Sequence, residues 1–244
     1  MKFIKRGISK IVFRFIKPPV KFSYVEVYNT YAQAGEDRVL SFLFDTLGIY
    51  HPFYIDIGAN KPDWSSNTYL FYLKGAKGIS IEPDKILFDK FKVARPNDIC
   101  LNMAVGFDGK TEADFFVFDE PSLNTLSEEE AISRNKIGEF KVVEKIKVTV
   151  IRVEQIIEEY CPKLPDFISL DVEGIDFDIL KSFDFENYPV PVWVVETIDY
   201  SPNPQKVKNY EVIEYMKTKG YFVYGDTYIN TIFVNKNWFE NYPK

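Results

Sequence analysis

Histidine is nearly absent from this 244-residue chain: His51 stands alone. Cysteine is scarce too, with only Cys100 and Cys161, and these form no C-x-x-C pair. One imidazole and two separated thiols cannot build a zinc cluster, which needs several N and S ligands close in space. Such low cysteine usage fits a reducing cytoplasm. The single histidine also argues against hydrolases built on a Ser/His or Cys/His pair, because His51 sits in the turn Tyr50-His51-Pro52. Basic residues are outnumbered, 30 against 36 acids, for a net charge of −6. Neutralising a phosphate backbone needs the opposite balance, so nucleic acid is not expected as a partner. Neither a membrane-spanning apolar run nor a leader with a long apolar region and a small-residue cleavage site is expected.

What is present is apolar and aromatic. Hydrophobic residues make up 46% of the chain and aromatics 17%, enough to bury a sizeable core. Charge is unevenly placed. Residues 1–25 hold seven bases (Lys2, Lys5, Arg6, Lys10, Arg14, Lys17, Lys21) and no acid, which leaves a net of −13 on the remainder. Phe3, Ile4, Ile8, Ile11, Val12 and Phe15 recur there at helical spacing, a basic amphipathic helix that stops before Pro18-Pro19. It has two readings. Residues 1–17 lie on anionic lipid at the inner membrane surface or clamp an anionic substrate, or the helix packs on the domain or on the second subunit of a homodimer.

From Tyr31 onward helix and strand patterns alternate at short intervals. Helices are expected over 36–47, 64–74, 84–94, 127–136, 152–160, 175–183 and 205–218. Strands are expected over 53–57, 78–82, 99–105, 113–118, 140–150, 166–171, 192–197, 220–225 and 229–235. The central strands are continuously apolar, as in a parallel sheet covered on both faces. The last two are joined by only a few residues and must be antiparallel. The pattern predicts an α/β fold of Rossmann-like type with one domain over 26–244 and an inserted hairpin and lid at about 106–150.

Ligands of such sheets sit beyond the carboxyl ends of the strands. Four ends are chemically marked: Asp56, Gly58 and Asn60; Glu82-Pro83-Asp84; Asp171-Val172-Glu173-Gly174; and Glu196-Thr197 with Asp199 beyond. The first loop reads FYIDIGANKPD over residues 53–63. A pyrophosphate loop wants several glycines and free N–H donors. Here no glycine follows Gly58 before Gly75, Pro62 removes a donor, and Asp63 adds negative charge. Glu82, 26 residues after Asp56, is placed to accept two hydrogen bonds from a ribose diol. Asp84 reads instead as a helix N-terminal acid. The loop suits a ligand with ribose, adenine and a cationic amino-acid end, the features of S-adenosylmethionine.

The stretch YIDIGANKPDWSSNTYLFYLKGAKGISIEP (54–83) resembles the FkbM family of S-adenosylmethionine-dependent methyltransferases. So do YAQAGEDRVL (31–40), NMAVG (102–106), SLNTLSEEEA (122–131), FISLDVEGIDFDILKSFDF (167–185), VWVVET (192–197) and YINTIFVN (228–235). The resemblance implies a class I methyltransferase fold: a seven-stranded, mostly parallel sheet with an antiparallel last strand and helices on both faces. It implies methyl transfer, most often to an oxygen of a sugar or polyketide. It also implies that Asp56, Gly58 and Asn60 hold the methionine end of the cofactor. Glu82 would hold the ribose, Asn102 to Val105 would line the adenine side, and Gln33, Glu36 and Asp37 would lie at the mouth.

Asp171 and Glu173 are the candidate catalytic residues. Asp171 is read as the general base with Glu173 second, or else as the partner of the methionine ammonium with Glu173 capping a helix. Asp171, Glu196 and Asp199 end neighbouring strands and offer three oxygens to a Mg²⁺. The aromatics of Ser66 to Tyr72 and the lid over 119–135 are read as the acceptor pocket, with core packing as the other reading of Leu70 and Phe71. Arg134, Lys136 and the basic N-terminus are read as contacts for the phosphates of a nucleotide-linked sugar. The leading expectation is an O-methyltransferase acting on a sugar hydroxyl of a surface-glycan precursor. The alternatives are methylation of another small molecule or of a phosphate or phosphoramidate acceptor, a nicotinamide oxidoreductase, and a non-catalytic nucleotide-binding member of the fold.

Overall fold

The computed structural model describes residues 29–199 and 207–243. The amphipathic helix expected over 1–25 lies outside the described residues. Helix α1 (Glu36–Thr46) leads into strand β1 (Tyr54–Ile57), α2 (Tyr69–Leu73), β2 (Gly78–Ile81), α3 (Lys85–Ala94) and β3 (Ile99–Leu101). Next come β4 (Ala104–Val105), β5 (Glu112–Phe118), α4 (Glu128–Ile137) and β6 (Val142–Ile151). The chain continues through α5 (Val153–Tyr160), β7 (Phe167–Leu170), α6 (Asp176–Ser182), β8 (Val192–Glu196) and β9 (Ile198–Asp199). It closes with β10 (Val207–Lys208), α7 (Tyr210–Thr218), β11 (Tyr221–Asp226), β12 (Asn230–Asn235) and α8 (Lys236–Glu240).

Seven strands form one sheet in the order β11-β12-β8-β7-β1-β2-β3. All neighbouring pairs are parallel except β12, which runs antiparallel to both β8 and β11. This is the class I methyltransferase arrangement that the resemblance implied. Residues between β3 and α5 build a separate three-stranded sheet, β4-β6-β5, in which β5 and β6 form a long antiparallel pair.

Side chains alternate across each strand, so each face collects every second residue. Ile55, Ile57, Ile79, Ile81, Ile168, Leu170, Trp193 and Val195 pack on one face against Ile156 of α5, Leu180 of α6 and Met216 of α7. Tyr54, Phe167, Val192, Val194, Ile232 and Val234 pack on the other against Leu40, Leu43 and Phe44 of α1 and Phe71 of α2. Each such buried side chain contributes about 1.5–3 kcal/mol relative to exposure. The same alternation puts Asp56 on the α1 side, in register between Ser80 of β2 and Ser169 of β7. A polar row therefore lies beside the aromatic row at the carboxyl ends of the central strands.

Three expected elements differ. The strand over 99–105 divides, with Ile99–Leu101 pairing with β2 and Ala104–Val105 with β6. Asn102 turns the chain between them, its Nδ2 donating to the carbonyls of Glu82 (3.0 Å) and Pro83 (2.9 Å). The helix over 64–74 shortens to α2, because Asn60 and Ser65 adopt left-handed backbone (φ 51° and 55°) and the loop's groups bond elsewhere. The last long helix starts at Tyr210 after the cap Asn209, and Val207–Lys208 pairs with β9 instead. The short α8 was not expected; Asn235 caps it.

Candidate active site

The loop after β1 is shaped by close approach. Gly58 has φ 74°, and a Cβ there would stand 1.7 Å from the Asp171 carbonyl oxygen. Only glycine permits this contact between the β1 and β7 loops. The Gly58 and Ala59 amides both bond the Ile81 carbonyl (3.2 and 3.1 Å), tying the loop to β2 as well. Asn60 and Ser65 in this loop and Glu173 across from it are left-handed non-glycine residues. Such conformations persist only where the surroundings enforce them, and they cluster at functional sites.

Two acids sit on this side, each 5% exposed. Asp56 accepts from the Thr68 hydroxyl and lies 3.8 Å from Nη1 of Arg95. Burial pushes the Asp56 carboxyl up, and the Arg95 guanidinium is the chief opposing influence. Glu82 accepts one backbone amide on each oxygen, Asn60 on Oε2 and Asp84 on Oε1, both at 2.8 Å. Burial dominates there too and pushes Glu82 up to about 8, against the lowering effect of those two amides. Each Glu82 oxygen keeps lone-pair capacity for a further donor. Asp84 caps α3 with its own carboxylate, as read from the sequence.

The opposite side comes from the ends of β7 and β8. Asp171, Glu173 and Glu196 present carboxylate oxygens within 4.8 Å of one another, all partly exposed. Glu173 is gripped by the inserted segment. Nη2 of Arg134 on α4 donates to its carboxylate (2.8 Å), and the Thr125 hydroxyl donates to its carbonyl (2.7 Å). Arg134 is 1% exposed and also donates to Glu130 and to the Leu123 carbonyl. Asp176 receives the Val172 and Gly174 amides, fixing the loop from beneath.

Between the two sides lies a cleft of about 260 Å³. Gln33, Asp56, Gly58, Asn60, Glu82, Asp171, Glu173 and Glu196 all reach it, as the sequence suggested. Met103, Ala104, Val105, Trp64, Phe115, Leu123 and Leu126 supply its apolar lining. Other expected residues lie elsewhere. Asn102 holds the β2 end and does not line the cleft. Asp37 receives the Thr30 hydroxyl and Tyr31 amide, and Glu36 receives Thr227 and Asn230, so both fasten α1. The side chain of Asp199 lies outside the described residues, and Glu173 takes the third place in the acid cluster. Tyr69 and Tyr72 stack toward Arg95 while Leu70 and Phe71 are buried, so this stretch faces the core. Arg134 is already committed to two carboxylates and is not a phosphate contact.

The sequence reading also missed three buried charges. Arg95 is fully enclosed, Asp98 beside it is pushed up to about 6 by burial, and Lys208 bonds Asp226, Thr231 and the Tyr228 carbonyl. An Arg or Lys at a helix end or in a loop looks like an exposed charge in one sequence; only the three-dimensional partners distinguish it.

Residues 56–223 match the methyltransferase FkbM domain. The chain belongs to the FkbM methyltransferase family. No curated protein sequence matches it. Among solved structures it is similar to a candidate RNA methyltransferase from Pyrococcus horikoshii, at 13% identity and TM-score 0.40, over 92% of this chain and 96% of that one. It is also similar to a TehB-like SAM-dependent methyltransferase from Corynebacterium glutamicum (12%, TM-score 0.37, 84% and 89% covered). A third likeness is to a Burkholderia thailandensis 1,6-didemethyltoxoflavin-N1-methyltransferase with S-adenosylhomocysteine bound (8%, TM-score 0.39, 83% and 77% covered). These likenesses are distant, and nothing about substrate passes from them to this FkbM methyltransferase. Among its described residues no helix is long and apolar enough to cross a membrane.

Proposed function

We propose that this methyltransferase takes S-adenosylmethionine in the cleft and methylates a hydroxyl of a sugar, free or linked to a nucleotide as a surface-glycan precursor. One observation carries the reading: buried acids at the ends of β1 and β2 and partly exposed acids at the ends of β7 and β8 line a single cleft. Asp56, Gly58 and Asn60 would hold the amino-acid end, Glu82 the ribose hydroxyls, and Met103 to Val105 the adenine. The residues fit that ligand: Asp56 offers negative charge to an ammonium, and the apolar lining of Met103, Ala104 and Val105 suits a base. When bound, the cofactor supplies an electrophilic methyl group.

The chain's own task is then positioning and proton removal. Holding the acceptor oxygen in line contributes roughly 7–11 kcal/mol in well-oriented systems. The acceptor hydroxyl must lose its proton, and a carboxylate is the base at hand. Asp171 ends β7 at the cleft and is assigned as the base, with Glu173, whose carboxylate Arg134 holds, as its neighbour that orients the acceptor. The cluster of Asp171, Glu173 and Glu196 would equally hold a divalent cation that acidifies a hydroxyl. The aromatic Trp64, with Lys61 4.6 Å above its ring, offers a face for a sugar at the mouth.

The test is transfer of labelled methyl from S-adenosylmethionine to a panel of free and nucleotide-linked sugars, with and without EDTA. Labelled sugar is the expected result, and loss of transfer with EDTA would assign the metal. No transfer to any sugar, with label appearing on a different acceptor class, would overturn the sugar reading.

A further inference from the structure

Arg95 stands at the carboxyl end of α3, outside the cleft, and is fully buried. A buried guanidinium demands partners for all its donors. It finds them almost entirely in the β1–α2 loop. Nε donates to the Pro62 carbonyl (2.7 Å), Nη1 to the Thr68 hydroxyl (2.7 Å) and Nη2 to the Ser66 hydroxyl (2.8 Å). Three fixed points on one side chain therefore define the path of residues 62–68. The Ser66 hydroxyl in turn accepts the Thr68 and Tyr69 amides, and Thr68 donates onward to Asp56. Rings of Tyr69, Tyr72 and Phe91 lie 5.2, 5.8 and 5.1 Å from the guanidinium carbon. Asp56 and Asp98 flank it at 3.8 Å, so two buried acids share one cation.

We propose that Arg95 is a positioning residue of the methyl-transfer site, setting the conformation of the loop 60–68 and the orientation of Asp56 for the amino-acid end of the cofactor. The proposal rests on S-adenosylmethionine occupying the cleft. The chain of contact is short: guanidinium to Thr68 hydroxyl, Thr68 hydroxyl to Asp56 carboxylate, and Asp56 to the cleft. Asn60, Ser65, Ser66 and Asn67 line the cleft from the same loop. Among the described residues, the hydrogen bonds and ion pairs of the Arg95 side chain run to this loop, Asp56 and Asp98. They do not run to the base-binding wall of Met103 to Val105, so the effect is directional. Lysine does not replace Arg95, because a single ammonium nitrogen lacks the planar fork that spans the Pro62 carbonyl and the Ser66 and Thr68 hydroxyls together. The neighbouring acids also depend on it, since its charge opposes the upward push of burial on both Asp56 and Asp98.

The experiment is calorimetric titration of the full chain with two ligands that differ only in the amino-acid end. S-adenosylhomocysteine carries it; 5′-methylthioadenosine does not. In Arg95→Lys the affinity for S-adenosylhomocysteine is expected to fall about tenfold or more, while that for methylthioadenosine moves less than about twofold. Ser66→Ala, which removes one arm without touching the charge, is expected to show the same selectivity at about threefold, and it decides the matter if Arg95→Lys does not fold. Equal weakening of both ligands, or no weakening, would overturn the proposal and reduce Arg95 to a fold-stabilising residue. Failure of the unaltered chain to bind S-adenosylhomocysteine would instead remove the cofactor reading and the Arg95 role together.

Discussion

On the wall of the cleft built by β1 and β2, the acids are buried and their oxygens are met by amides and hydroxyls of adjoining loops: Asp56 by Thr68, Glu82 by Asn60 and Asp84. On the wall built by β7 and β8, Asp171, Glu173 and Glu196 are only half-buried, and Glu173 is held by Arg134 and Thr125 from the inserted segment. The first wall is preorganised, with side chains locked by the sheet and the loop that it anchors. The second is accessible and depends on a separate sheet and helix for its shape. A binding surface gains from rigidity because ordering is complete before the ligand arrives. A surface that must exchange protons with an acceptor gains from exposure on one side. Under the proposed function, the cofactor takes the first wall and the chemistry the second.

The comparison can be broken at several points. Gly58→Ala strikes where the walls touch. With a Cβ placed 1.7 Å from the Asp171 carbonyl and a left-handed backbone, it should cost about 4 kcal/mol or more and leave little folded protein in thermal denaturation. Asp171→Asn acts on the second wall alone. Methyl transfer should fall about 10²–10⁴-fold, with the melting temperature nearly unchanged. Calorimetry of the same variant separates its two roles, since a base leaves the S-adenosylhomocysteine affinity intact and an ammonium partner does not. Arg134→Met removes the cation that ties the inserted helix to Glu173. It should lower stability by about 2 kcal/mol in chemical denaturation and slow transfer, while cofactor affinity is retained. Weakened cofactor binding in that variant would erase the distinction between the walls.

The smallest effect concerns pH. The Glu82 carboxyl is raised from 4.5 in the unfolded chain to about 8 in the fold. A raised acid contributes stability that is complete below about pH 4.5 and lost as pH climbs through about 8. Ribose hydroxyls donate to the ionised form, so cofactor affinity should rise severalfold from pH 6 to just above 8 and then level. Glu82→Gln should flatten that profile. An unchanged profile in the variant would take Glu82 out of ribose binding.

Much of this was legible in the sequence for physical reasons. Continuous apolar strands such as Ile55, Ile168 and Val192 to Val195 announce a doubly covered sheet, and the few residues between β11 and β12 force an antiparallel end. The acids at 82, 171 and 196 were visible because each closes an apolar run, and those at 56 and 173 because they stand within two or three residues of a run's end, where the chain reaches the cleft. What stayed hidden depends on partners far along the chain. Nothing local marks Arg95 as buried or Arg134 as bound to Glu173, 39 positions away. Nothing local shows that Glu36 clasps Asn230, 194 positions away, instead of facing a ligand. Asn102 ended a strand early because its amide found two carbonyls of the preceding loop, a bond that periodicity does not encode.

The central claim is that the cleft binds S-adenosylmethionine through its first wall. Calorimetric titration of the purified chain with S-adenosylhomocysteine and, separately, with NAD tests this most directly. The account predicts one-to-one binding of S-adenosylhomocysteine, weakened in Glu82→Gln when both are measured just above pH 8, and no binding of NAD. Binding of NAD without S-adenosylhomocysteine, or S-adenosylhomocysteine binding indifferent to Glu82→Gln, would contradict it.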